Sequence, residues 1–123
     1  MKTVLIVEDH ADIRRLIRMT LEFESCTIHE AGDVVAGMDA VKAWMPDLVF
    51  LDVMMPGEQN GLDLCRAIKS DPQLQRIKVF LVSARGGSKD QEQGMLAGAD
   101  AYVVKPFSPM KLLELIGEPA EQL

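Results

Sequence analysis

Leu48-Val49-Phe50-Leu51-Asp52 is an apolar run that closes on a single carboxylate. With no polar face to offer water, it reads as a strand buried on both sides, the form taken in a parallel sheet lying between helices. Three further runs share that form. Val4-Leu5-Ile6-Val7 ends in Glu8-Asp9, Val79-Phe80-Leu81-Val82 in Ser83, and Ala101-Tyr102-Val103-Val104 in Lys105. A fifth stretch, Cys26-Thr27-Ile28-His29-Glu30-Ala31, is weaker and more polar, which suits an edge strand. One acid after a strand is commonplace, because an Asp often just caps the next turn. Four strand ends carrying different polar groups raise the question of whether they converge.

Helix-period stretches separate these runs. Asp12 is a plausible cap for a first helix in which Ile13, Leu16, Ile17 and Leu21 recur, with Arg14, Arg15 and Arg18 as a solvated basic face. Asp33 can cap a second helix with a stripe of Val34, Met38, Val41 and Met45, ended by Pro46. After the strand over 48–52, Pro56-Gly57 and Asn60-Gly61 mark a turn-rich loop. A third helix turns Leu64, Cys65 and Ile68 inward and stops near Ser70-Asp71-Pro72. The fourth strand spans 77–82. The helix after it, over 89–96, is polar and carries Gly94, with Gly98 just beyond, so it is the thinnest in apolar contacts. A last helix from Pro109 shows Leu112, Leu115 and Ile116 on one face, with Gly117 and Pro119 closing it. Residues 1–118 then form one domain and 119–123 a frayed tail.

Alternating strand and helix signals with buried strands call for a parallel sheet covered on both faces. Right-handed crossovers then favour a doubly wound open α/β sheet of five strands in the order 2-1-3-4-5. In that order ligands bind beyond the carboxyl ends of strands 1 and 3, where the winding reverses. Those ends carry Glu8-Asp9 and Asp52.

Composition removes several function classes. A chain of 123 residues fits a single domain with a sizeable core. A net charge of −6 argues against direct nucleic-acid contact, which relies on clustered Lys and Arg. No run is long enough to insert in a membrane, and no signal peptide is evident. Cys26 and Cys65 lack metal-site spacing and read as reduced thiols, pointing to a cytoplasmic protein. Arg85-Gly86-Gly87-Ser88-Lys89 lacks the spacing of a P-loop. His10 reads as a loop residue at the mouth of the acidic site, His29 as surface, and Trp44 as packing at the end of the second helix.

Three carboxylates drawn together repel by about 4 kcal/mol per close pair at an effective dielectric near 20. A cation among them resolves this, and an all-oxygen donor set suits Mg²⁺, with Mn²⁺ able to substitute. A carboxylate in such a site is a nucleophile toward phosphorus. Lys105 and the Ser83 hydroxyl are then placed to meet phosphoryl oxygens, and a cis bond before Pro106 would aim the ammonium inward.

The motifs Glu8-Asp9, Leu51-Asp52 followed by Met55-Pro56-Gly57, Ser83-Ala84, Ala97-Gly98-Ala99-Asp100-Ala101-Tyr102 and Lys105-Pro106-Phe107 resemble the receiver domain of bacterial two-component response regulators. The likeness covers nearly the whole chain and implies a flavodoxin-like (βα)5 fold. It implies that Asp52 accepts a phosphoryl group and that Glu8, Asp9, Asp52 and the Met54 backbone carbonyl hold Mg²⁺. Lys105 and Ser83 would assist, and Ser83 and Tyr102 would form the switch. The implied partners are a sensor histidine kinase or histidine phosphotransfer protein, docking in part on the first helix. A downstream protein or a second copy would bind the face of the fourth helix, fifth strand and fifth helix.

Departures from the family pattern are informative. Ser83 replaces the commoner Thr, and the 56–61 loop is one residue longer than usual. Met54 and Arg85 occupy the variable positions beside the phosphate. Met54 cannot orient an attacking water, so self-dephosphorylation is expected to be slow and turnover of external substrates absent. Two rivals are a binding module that is never phosphorylated and a metal-dependent aspartyl-phosphate phosphatase. The second needs an acid where Met54 stands. A stand-alone regulator and a receiver cut from a longer protein are equally compatible with the sequence.

Overall fold

The computed structural model describes residues 2–22, 26–55 and 60–116. Strand and helix alternate as β1 (Lys2–Val7), α1 (Ala11–Leu21), β2 (Cys26–Ala31), α2 (Val34–Trp44), β3 (Leu48–Asp52), α3 (Gly61–Ser70), β4 (Lys78–Ser83), α4 (Ser88–Leu96), β5 (Ala101–Val104) and α5 (Pro109–Ile116). Every strand pairing is parallel and the order is β2-β1-β3-β4-β5, as the hydrophobic pattern predicts. The polar strand β2 lies at one edge. The expected turn over 56–59, the helix-closing Gly117 and Pro119, the end of the domain at 118 and the tail over 119–123 lie outside the described residues.

Alternation along the strands splits the core in two. Leu5, Val7, Val49, Leu51, Val79 and Leu81 face α2 and α3. Val4, Ile6, Leu48, Phe50, Phe80, Val82 and Val103 face α1 and α5 through Ile17, Leu21, Leu112 and Leu115. A central strand buried on both faces therefore has water only at its ends, and that is where its polar residues sit. Cys65 belongs to the first cluster and is a free thiol, and Cys26 is half-buried. Burial pushes the Cys65 thiol up to about 11.

Local details differ from the sequence reading at several places. The cap of α1 is His10, without a side-chain bond, rather than Asp12. The helix begins early because the His10 carbonyl already accepts Arg14 N–H at 3.0 Å. Asp12 still favours the helix dipole from the first turn. Asp33 does cap α2, accepting from Ala36 N–H at 2.7 Å. Met45 does not extend that helix's apolar stripe. It is the C-cap, left-handed at φ 45° and half-exposed, since a residue before proline is driven out of the right-handed helical region.

The arginines of α1 are not simply solvated. Arg14 Nε and Arg18 Nη1 both reach Glu30 on β2, at 2.9 and 2.6 Å. His29 is not a lone surface ring, because it stacks on Trp44 with centroids 3.9 Å apart. Gly94, read as a weak point of α4, has a packing role instead. A Cβ there would lie 2.7 Å from Tyr102 Cδ2 and 3.0 Å from Leu81 Cδ1. Its missing side chain is the seat of the tyrosine ring.

Candidate functional site

The register of β1 and β3 pairs Val7 with Leu51, so the next residues, Glu8 and Asp52, leave the sheet side by side. Glu8 N–H still bonds Ala31 O at 3.0 Å, which anchors the acid to the end of β2. Arg14 Nη1 donates to the Glu8 carbonyl at 2.7 Å and fixes the other side of the same residue from α1. Glu8 is 1 % and Asp52 2 % exposed. One ligand atom from each of Glu8, Asp9, His10 and Asp52 lies within 4.8 Å of the others. The strand ends do converge.

Lys105 enters this cluster from the far side of the sheet. Its backbone N–H donates to Ser83 O at 2.7 Å, prolonging the β4–β5 ladder, and the Lys105–Pro106 bond is cis. Its Nζ lies 3.0 Å from Glu8 Oε1 and 3.5 Å from Asp52 Oδ1. Asp52 Oδ1 also accepts Met54 N–H at 3.2 Å. Asp52 Oδ2 and Asp9 Oδ1 are buried and accept no hydrogen bond among the described residues. Buried carboxylate oxygens without donors are costly. An oxygen donor set carrying two such orphan atoms fits a hard divalent cation, Mg²⁺ above all.

The electrostatics agree. Burial, and then the charge of Glu8, push the Asp52 carboxyl up to about 7, with Lys105 opposing. Burial also works to lift Glu8, but hydrogen bonds from Lys105 and the His10 backbone hold it below its ordinary range. One acid of the pair is thus tied to Lys105 while the other is poised to pick up a proton unless more positive charge arrives.

Gly61 keeps the loop side of the site tight. Its N–H bonds Val53 O at 3.0 Å, and a Cβ would collide with the Asp52 carbonyl. Asn60 and Asp63 form a capping box there, so α3 starts directly against the end of β3. On the α4 side, Ser83 is fully buried and its Oγ accepts Arg85 N–H at 3.0 Å. Tyr102 Oη donates to the carbonyl of the same residue at 2.7 Å. Ser83 and Tyr102 therefore both hold the Arg85 backbone, one at its N–H and the other at its carbonyl, a link absent from the sequence reading. Met54, beside the acid, is 47 % exposed.

The structure thus gathers Glu8, Asp9, Asp52 and Lys105 in one cluster and sets Ser83 and Tyr102 beside it through Arg85. His10 is the exposed loop residue at the mouth of the site that the sequence suggests, and its Nδ1 lies 3.2 Å from Glu8 Oε2 and 3.3 Å from Asp9 Oδ1. Its adjacency to Asp9 is the signal that places it there. Arg14 left none, because its target is a backbone carbonyl.

An acid cluster that could hold a metal ion, with a lysine against it, thus lies at the switch point of a doubly wound sheet. The chain belongs to the response regulator receiver domain family, whose sequence profile it matches over residues 4–117. It is 38 % identical over 112 residues to the phosphate regulon transcriptional regulatory protein PhoB of Pseudomonas aeruginosa, covering 91 % of this chain and 48 % of that protein. To the transcriptional regulatory protein ResD of Bacillus subtilis it is 40 % identical over 114 residues, covering 89 % and 44 %. The chain therefore spans about half the length of these curated relatives. Its backbone superposes on the Vibrio cholerae chemotaxis protein CheY4 with a TM-score of 0.87 at 25 % identity, covering 95 % of this chain and 97 % of that one.

Proposed function

We propose that the chain is a phosphorylation switch in which Asp52 takes a phosphoryl group from a phosphohistidine on a kinase or phosphotransfer protein. The observation that carries this is Asp52 Oδ2, buried and without a hydrogen-bond donor among the described residues, in a carboxylate whose other oxygen lies 3.5 Å from Lys105 Nζ. Glu8, Asp9, Asp52 and the Met54 carbonyl would hold Mg²⁺. When bound, that ion supplies positive charge that keeps Asp52 ionised and offsets charge on the transferring group.

An Asp52 oxygen forms the new bond to phosphorus as the P–N bond breaks, and the electron pair stays on the departing imidazole. Lys105 exchanges a carboxylate partner for a phosphoryl oxygen. Ser83 accepts from Arg85 N–H, so its own hydroxyl proton is free to donate to another oxygen. The product adds about −1.5 to −2 charge beside Ser83. Drawing Ser83 inward pulls on the Arg85 N–H, and Tyr102 holds the carbonyl of the same residue, so this couples the site to α4 and β5. Exposed Met95 and Leu96 on α4 and Val104 on β5 give that face the apolar character of a partner surface, whether for a downstream protein or a second copy. Such a relay belongs in the cytoplasm. No helix among the described residues is long and apolar enough to cross a membrane.

The reaction is self-modification rather than turnover of an external ester, since Met54 stands where a phosphatase needs its acid. Incubation with acetyl phosphate and Mg²⁺ tests the proposal by intact-mass spectrometry. One phosphoryl group should be gained, and the gain lost with a chelator or in Asp52→Asn. Equal labelling of Asp52→Asn would refute it.

A further inference from the structure

We propose that His10 is a nitrogen ligand of the cation site, which shifts its preference from Mg²⁺ toward borderline transition ions of the Co²⁺ and Zn²⁺ kind. This rests on the assignment of Glu8, Asp9 and Asp52 to a cation, and adds a donor of different chemistry.

His10 is 64 % exposed, so burial does not force its ring inward. Its Nδ1 nevertheless faces two acids, at 3.2 Å from Glu8 Oε2 and 3.3 Å from Asp9 Oδ1. The His10 backbone N–H donates to the same Glu8 oxygen at 3.2 Å, which pins the residue against it. Donors about 2.1 Å from a six-coordinate ion stand about 3.0 Å from their neighbours, and tetrahedral donors at about 2.05 Å stand about 3.3 Å apart. The spacings of Nδ1 from its two oxygens match such edges. The acid set itself is short of donors: Asp52 is only 2 % exposed, and its Oδ2 accepts no hydrogen bond among the described residues. Oxygen ligands alone suit Mg²⁺, whereas an imidazole among them favours Co²⁺, Ni²⁺ and Zn²⁺, which outrank the earlier divalent ions at mixed N/O sites.

The competing role for the ring is simply to donate Nδ1–H to Glu8. Calorimetric titration of the full chain with Mg²⁺ and with Co²⁺, at one pH and ionic strength, separates the two. The comparison needs His10→Ala and Asp9→Asn, together with proton NMR of the Co²⁺ form. In the ligand role, His10→Ala lowers the Co²⁺-to-Mg²⁺ affinity ratio at least about tenfold, and the Co²⁺ form shows a strongly shifted imidazole signal that the variant lacks. An unchanged ratio with no such signal, while Mg²⁺ still binds in an Asp9-dependent way, overturns the His10 assignment and leaves the cation site standing. Failure of either ion to bind, or binding insensitive to Asp9→Asn, overturns both.

Discussion

Replacing Asp52 by asparagine should make the metal-free protein more stable, although it removes the group on which the proposed function depends. Asp52 is 2 % exposed, and its carboxyl is raised from 3.8 to about 7 by burial and by Glu8. A group whose pKa is raised on folding supports the fold fully below the unfolded value and loses that support as pH climbs to the folded value. Ionising Asp52 therefore costs stability progressively between about pH 4 and pH 7, with a ceiling near 4 kcal/mol at about 1.36 kcal/mol per unit. Glu8 is shifted the opposite way and shares Lys105 with Asp52, so the net gain falls below that ceiling. The amide introduced by Asp52→Asn keeps an acceptor for Met54 N–H and leaves Lys105 to Glu8 alone. A gain of about 1–3 kcal/mol at pH 8 is expected, or about 3–10 °C in Tm for a domain of this size. Thermal and urea unfolding in chelator across pH 4–8 measures it. The gain should shrink toward pH 4 and level off above pH 7. Added Mg²⁺ should narrow the gap by stabilising the wild type more. An Asp52→Asn variant no more stable than wild type at pH 8, or a gain independent of pH, would refute the reasoning.

Three other outcomes follow from the same geometry. Lys105→Met leaves Glu8 and Asp52 without their shared cation and should cost about 2–4 kcal/mol in metal-free urea unfolding, with much of the loss recovered by adding Asp52→Asn. Gly94→Ala places a Cβ 2.7 Å from the Tyr102 ring; a cost of about 1–3 kcal/mol is expected, with shifted Tyr102 ring signals by NMR, and an undisturbed ring would count against the packing described. Met54→Asn puts a hydrogen-bonding amide beside the proposed phosphate and should shorten the phosphoryl lifetime several-fold; an unchanged decay rate would show that this position does not limit hydrolysis.

What was legible in the sequence was what strand periodicity and chain ends encode. Four runs without a polar face could lie only in a two-sided parallel sheet, and the polar residues abutting them had to lie at its rim. The switch point then pairs Glu8 with Asp52. Contacts that depend on register and side-chain reach were not legible. Lys105 and Glu8 are 97 residues apart, and nothing local to either shows that they meet at 3.0 Å. The pairing of Arg14 and Arg18 with Glu30 looked like a solvated basic face because its acid lies on a neighbouring strand. Asp12 resembled a cap by residue type, but the early turn begun by the His10 carbonyl determined where α1 starts. Gly94 looked like a helix defect because propensity says nothing about a ring seated against the backbone.

The central claim is that Asp52, held between Lys105 and the acids of β1, is the phosphoryl acceptor. Its most direct test is to phosphorylate the chain with acetyl phosphate and Mg²⁺, trap the acyl phosphate by borohydride reduction, and map the product by peptide mass spectrometry. The account predicts conversion of Asp52 to homoserine, dependent on Mg²⁺ and sharply reduced in Lys105→Met. Reduction at Glu8 or Asp9 instead, or no trapped residue despite a bound divalent ion, would contradict it.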